Sequence, residues 1–119
     1  MTEKDNLIKI DNIGNVVIVG FSEPNIGAMD GIETVSGLLR DYVDKNQPEK
    51  LVIDFANVKF FSSQALGMLI EIWRKLEKYQ GKMVISGINP QLYRVFKITN
   101  LDKIFVFYKD ASEAVESFK

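Results

Sequence analysis

The sequence predicts an α/β domain built on a mixed, mainly parallel sheet that opens with an antiparallel hairpin. Three features of its 119 residues carry this. Short β-branched apolar runs alternate with runs of helical periodicity along the whole length. The first two strand-like runs are separated only by a turn-rich interval of hairpin length. The next strand-like run is continuously apolar, the pattern of a strand buried on both faces. Such alternation implies parallel strands joined by right-handed crossovers, with about four helices flanking the sheet in a single domain over residues 1–119.

Residues 7–10 and 16–21 are the two hairpin strands, separated by Asp11-Asn12-Ile13-Gly14-Asn15. Ser22-Glu23-Pro24-Asn25-Ile26-Gly27 is a loop, after which Ile32, Val35, Leu39, Tyr42 and Val43 recur at helical spacing. A first helix is expected from about Met29 to about Asp44, with Pro48 marking its exit. Residues 50–55 form the buried strand, a second helix runs from about Ser63 to about Tyr79, and Gly81 is placed to end it. Lys82-Met83-Val84-Ile85-Ser86 returns as a strand. Asn89-Pro90 opens a third helix with proline in its first turn, and Asn100 can take the left-handed conformation that stops it. Residues 104–107 form the last strand. Asp110-Ala111-Ser112-Glu113 has the spacing of a capping box for a final helix that turns Ala114, Val115 and Phe118 inward.

Composition narrows the function. With 46% hydrophobic and 26% charged residues the chain supports its own core, and a net charge of −1 gives no basic footprint for nucleic acid or anionic membrane. There is no histidine and no cysteine, which removes the usual zinc sites, Ser-His-Asp and Cys-His nucleophiles and a histidine base. The start, Met1-Thr2-Glu3-Lys4-Asp5, lacks the apolar region of a signal peptide, and uncharged runs fall short of the roughly 20 residues of a membrane helix. These absences exclude much of catalysis, and the expectation is a cytoplasmic protein with no metal site and no membrane insertion. Composition leaves the oligomeric state open.

The most informative stretch is Phe60-Phe61-Ser62-Ser63-Gln64-Ala65-Leu66-Gly67-Met68-Leu69-Ile70, where a strand-like run meets a helix-like run across two adjacent serines. At a helix N-terminus backbone N–H groups lack intrahelical partners, so a serine there serves as a cap, and the same N–H groups with the positive end of the dipole tolerate a phosphate monoester. Capping alone and capping plus modification both fit. The second helix is apolar over more than half its circumference, with Glu71, Arg74, Lys75 and Lys78 on the remainder. Either a neighbouring helix covers the excess, or a partner does, with Met68 or Ile70 at the edge of that surface. Trp73 belongs to the apolar arc. The basic residues Arg74, Lys75, Lys78 and Lys82 read as a solvated face, with Glu71 four positions before Lys75. Asp54 has no histidine or metal-ligand cluster to work with and is given a structural or solvated role, and the glycines form no phosphate-binding fingerprint.

The pattern resembles the STAS domain of bacterial anti-sigma-factor antagonists. Leu51-Val52-Ile53-Asp54-Phe55, the serine junction, Gly81-Lys82-Met83-Val84-Ile85, Ile88-Asn89-Pro90 and Ile98-Thr99-Asn100-Leu101-Asp102-Lys103-Ile104-Phe105 carry the likeness in order over nearly the full chain. It implies a STAS-like single domain and a switchable binding module that takes part in transcription regulation, not an enzyme, and with no cofactor. In that family the helix-start motif reads approximately Asp-Ser-Ser/Ala-Gly-Leu-Gly, and its first serine accepts phosphate. Matched here, Ser63 is the acceptor position, with Ser62 as the alternative. The resemblance implies binding of an anti-sigma factor that is also a serine kinase, loss of binding on phosphorylation, and restoration by a serine phosphatase. The expected partner surface is Ser22, Glu23, Asn25, Ser62, Ser63, Gln64 and Met68. This sequence departs from the pattern: Ser62 replaces the aspartate, Gln64 the small residue and Ala65 the glycine, while Asn25 stands where members often carry aspartate. A second reading is a non-phosphorylated STAS subunit scaffolding a transporter or signalling assembly; a third is an enzyme or small-ligand carrier.

Overall fold

A computed structural model describes residues 7–26 and 31–119. The chain runs β1 (Ile8–Ile13), β2 (Val16–Phe21), β3 (Asn25–Ile26), α1 (Gly31–Asn46), β4 (Lys50–Asp54), β5 (Phe60–Phe61), α2 (Ser63–Lys78), β6 (Lys82–Ser86), α3 (Pro90–Ile98), a 3-10 turn (Leu101–Lys103), β7 (Val106–Tyr108) and α4 (Ala111–Ser117). This is the α/β architecture expected, with two short strands added. The expected starts at Met1 and Met29, and Gly27, lie outside the described residues.

Five strands form the main sheet in the order β1-β2-β4-β6-β7, antiparallel between β1 and β2 and parallel elsewhere. The opening strand is longer than its apolar run, because Asp11, Asn12 and Ile13 continue the ladder and leave only Gly14 and Asn15 as the turn. Gly14 has φ 61°, the left-handed value that a two-residue hairpin turn needs at its first position.

Side chains alternate across the sheet. Val17, Val19, Leu51, Ile53, Met83 and Ile85 join Val35, Leu39 and Val43 of α1, Leu69, Ile72 and Leu76 of α2, and Leu92 and Phe96 of α3 in the main core. Val16, Ile18, Val52 and Val84 face the other way and meet Ala114 and Val115 of α4 in a smaller cluster.

The wide apolar arc of α2 is explained by packing: Ala65, Met68, Leu69, Ile72 and Leu76 are buried, and half-buried Leu66, Ile70 and Trp73 rest on the same core. Trp73 meets Phe105 edge to face at 6.4 Å. Glu71 does not pair with Lys75. It binds Arg40 of α1 through two hydrogen bonds of 2.9 and 3.1 Å, while Lys75 reaches Asp44 at 2.8 Å, so both charges bridge the two helices instead of lying along one.

Helix ends follow local chemistry. Asn89 Oδ1 accepts the Leu92 N–H and Asp110 Oδ1 the Glu113 N–H, each at 2.8 Å. At the end of α2 the left-handed residue is Gln80, φ 67°, and not Gly81. The Gly81 and Gln80 N–H groups close the turn on Leu76 O and Glu77 O. Glycine is needed at 81 for another reason: a Cβ there would lie 2.9 Å from the Tyr79 ring and 3.1 Å from Pro48 O. The Tyr79 hydroxyl donates to that same Pro48 carbonyl at 2.9 Å, and burial raises its pKa, with Asp44 and Glu49 adding to the effect. The last strand begins later than its apolar run, because left-handed Asn100 and the 3-10 turn consume the intervening chain and carry Phe105 into the core.

Asp54 and Ser86 stand side by side at the ends of β4 and β6, and the Ser86 hydroxyl donates to Asp54 Oδ1 at 2.8 Å. Ser86 is fully buried, so this bond satisfies a hydroxyl that burial would otherwise penalise. Among the described residues no helix is long and apolar enough to cross a membrane.

Candidate functional site at the start of α2

The serine junction is held by a parallel ladder between β3 and β5, pairing Asn25 with Phe60 and Ile26 with Phe61. The Lys59 and Phe60 N–H groups both donate to Pro24 O, at 2.8 and 3.1 Å, and the Ser62 N–H donates to Ile26 O at 3.0 Å. Ile26 and Phe61 point into the core, where Phe61 meets Phe55 and Phe96 edge to face at 5.6 and 5.7 Å. Two segments distant in sequence are thereby fastened into one surface.

On it the two serines do different work. Ser62 has extended backbone (φ −83°, ψ 166°) and is the N-cap of α2, its half-buried side chain accepting the Ala65 N–H at 3.4 Å. Ser63 is the first helical residue and is exposed. The first turn of α2 contains no acidic residue, so nothing on the helix offsets the positive end of its dipole there.

The ladder brings Ser22, Glu23 and Asn25, all exposed, to the same end of the fold as Ser62, Ser63 and exposed Gln64. Met68 is a correction. It is only 3% exposed and packs in the main core, because the helix turns that side of its apolar arc toward the sheet; its side chain is not available to a partner. Sequence reasoning missed Phe60, which is 56% exposed beside Asn25. The signal was available: in a strand neighbouring side chains point oppositely, so an inward Phe61 requires an outward Phe60.

Gln64 also lines a groove with Glu33, Ser36 and Arg40 of α1. The hydrogen bond from Arg40 to Glu71, and then the Glu71 charge, raise the Arg40 pKa. Among the described residues no group of three or more acidic side chains stands close enough to hold a metal ion.

Comparison with known proteins places this geometry. The STAS domain family model matches residues 8–114. The chain belongs to the STAS domain family. Curated STAS relatives include the anti-sigma F factor antagonist of Paenibacillus polymyxa, 25% identical over 73 residues that make up 61% of this chain and 62% of that protein. The anti-sigma-B factor antagonist of Listeria monocytogenes is 33% identical over 54 residues, 45% of this chain and 47% of that protein. The matched stretches thus span less than two thirds of either relative. The crystal structure of an anti-sigma factor antagonist from Mycobacterium paratuberculosis is 25% identical and superposes with a TM-score of 0.81, covering 98% of this chain and 96% of that one.

Proposed function

We propose that this STAS domain is a cytoplasmic anti-sigma-factor antagonist: it captures an anti-sigma factor that is also a serine kinase, and phosphorylation of Ser63 ends the capture. The observation that carries this reading is the division of labour between the serines. Ser62 is committed to the cap, while Ser63 presents an exposed hydroxyl at a helix start with no acidic residue of its own. The names of the curated relatives supply the class of partner.

The energetics are sufficient. A 100-fold loss of affinity is about 2.7 kcal/mol. A phosphate adds about −1.5 to −2 charge, and placing it in an interface brings desolvation and like-charge repulsion. The fold absorbs that charge, because the unpaired N–H groups and the dipole of α2 favour an anion at this position. Ser22, Glu23, Asn25, Ser62, Ser63 and Gln64 are the contact residues, joined by Phe60 in the place assigned to Met68. A serine phosphatase resets the switch.

The test is incubation with ATP and an anti-sigma factor kinase of the same genome, followed by intact-mass measurement and site mapping. One phosphate on Ser63, with Ser63→Asp losing partner binding and Ser63→Ala retaining it, is the expected result. Phosphate on Ser62 moves the acceptor. Equal binding by wild type, Ser63→Ala and Ser63→Asp removes the switch and leaves a constitutive binding module.

A further inference from the structure

The outer edge of β1 is a strand edge that its own sequence makes self-complementary. Among the described residues β1 pairs only with β2, so it ends the sheet. The Ser22 N–H donates to Leu7 O, which shows that residues 7, 9, 11 and 13 direct their backbone groups at β2. Ile8, Ile10 and Asn12 therefore direct theirs outward, a row of donors and acceptors along an edge six residues long.

Edges are commonly protected by charge, lysine especially. Here the charges are Lys9 and Asp11, both exposed, placed symmetrically about Ile10. We propose that this edge pairs antiparallel with β1 of a second copy about a two-fold axis at Ile10, joining two five-stranded sheets into one.

Backbone and charge select the same register. With Ile10 opposite Ile10, Ile8 faces Asn12 of the second copy, and each of these outward-directed pairs exchanges both hydrogen bonds. Lys9 then lies opposite Asp11 of the second copy on both sides of the axis. These are non-hydrogen-bonded pairs, where side chains come closest and opposite charges help. The next registers that satisfy the backbone set Lys9 against Lys9 or Asp11 against Asp11. Registers between them oppose outward groups to inward ones.

The helix side fits as well. Half-buried Ile8 and Ile10 line a groove with Leu38, Tyr42, Asp41 and Lys45 of α1, and pairing covers the apolar part of it. The inference is independent of the phosphorylation reading, since the residues that pair, Ile8 to Asn12, lie outside the surface proposed around Ser63.

Sedimentation velocity of the full chain from micromolar to near-millimolar concentration is the first measurement, and a concentration-dependent dimer is expected. Lys9→Asp and Asp11→Lys, each alone, should weaken dimerisation about tenfold or more, because attraction becomes repulsion at both symmetric pairs. Mixing these two variants should restore association as a heterodimer, as should the double variant Lys9→Asp/Asp11→Lys alone. Asn12→Pro removes an outward donor without touching the β2 ladder, and should give a chain that is folded by circular dichroism and monomeric by sedimentation velocity. A wild type monomeric throughout, or a dimer indifferent to both single swaps and to Asn12→Pro, overturns the proposal. So does failure of the mixed variants to associate.

Discussion

The N-termini of α2 and α4 are built on the same backbone plan and finished with opposite electrostatics. At α4 the cap is Asp110, its carboxylate 2.8 Å from the Glu113 N–H, while Glu113 reaches back to the Lys109 N–H at 3.3 Å. At α2 the cap is a neutral serine with a bond of 3.4 Å, and the first turn has no acid. Each first turn also carries an exposed serine, Ser63 in α2 and Ser112 in α4. The difference teaches which serine can take an anion: α4 already holds two carboxylates at its positive end, whereas α2 has left that position open.

The largest effect should come from confusing the outside of α2 with its inside. Met68→Glu would bury a charge beneath α2, where Met68 is 3% exposed, and should cost about 4 kcal/mol or more. Urea denaturation checks this, and a stable, folded Met68→Glu would restore Met68 to the surface. Of intermediate size are the caps. Asp110→Ala should lose about 1–2 kcal/mol and Ser62→Ala about 0.5–1 kcal/mol, the charged, shorter bond being worth more. A reversed order in the same denaturation series would break the comparison. The smallest and sharpest effect is at the exposed serines. Ser63→Asp should raise stability by about 0.3–1 kcal/mol through the dipole, whereas Ser112→Asp should raise it by less, because Asp110 and Glu113 already place two negative charges at the start of α4 and repulsion offsets the dipole. Both differences should shrink in molar salt, where screening reaches about 3 Å. Equal responses of the two sites would mean the carboxylates at α4 do not govern it.

Much of this was legible because it is local. Val16–Phe21 and Lys82–Ser86 announce their strands by composition, and Asn89 and Asp110 announce their helices because a cap is a bond between near neighbours. The β3–β5 ladder was not legible: two residues carry no periodicity, and their pairing depends on where β2 and β4 deliver the chain. Met68 misled for a related reason, since an apolar arc of that width does not say which side meets the sheet. The partners of Glu71 and Lys75 were misjudged likewise, because the competing charges Arg40 and Asp44 lie on another helix. At the candidate site, the sequence placed the two serines at the helix start, where they stand, while the exposure of Phe60 follows only from its neighbour's orientation.

That short ladder also bears on how fast and how tightly a partner can bind. The loop at Glu23 and Asn25 is fastened to the chain at Phe60 and Ser62 before any partner arrives. Association then carries little cost for ordering either segment, a cost that otherwise runs to about 0.5–1.5 kcal/mol for each immobilised side chain. Under the proposed switch, a surface prepared in this way can be small and still selective, and a single added charge would fall on backbone already fixed by the ladder.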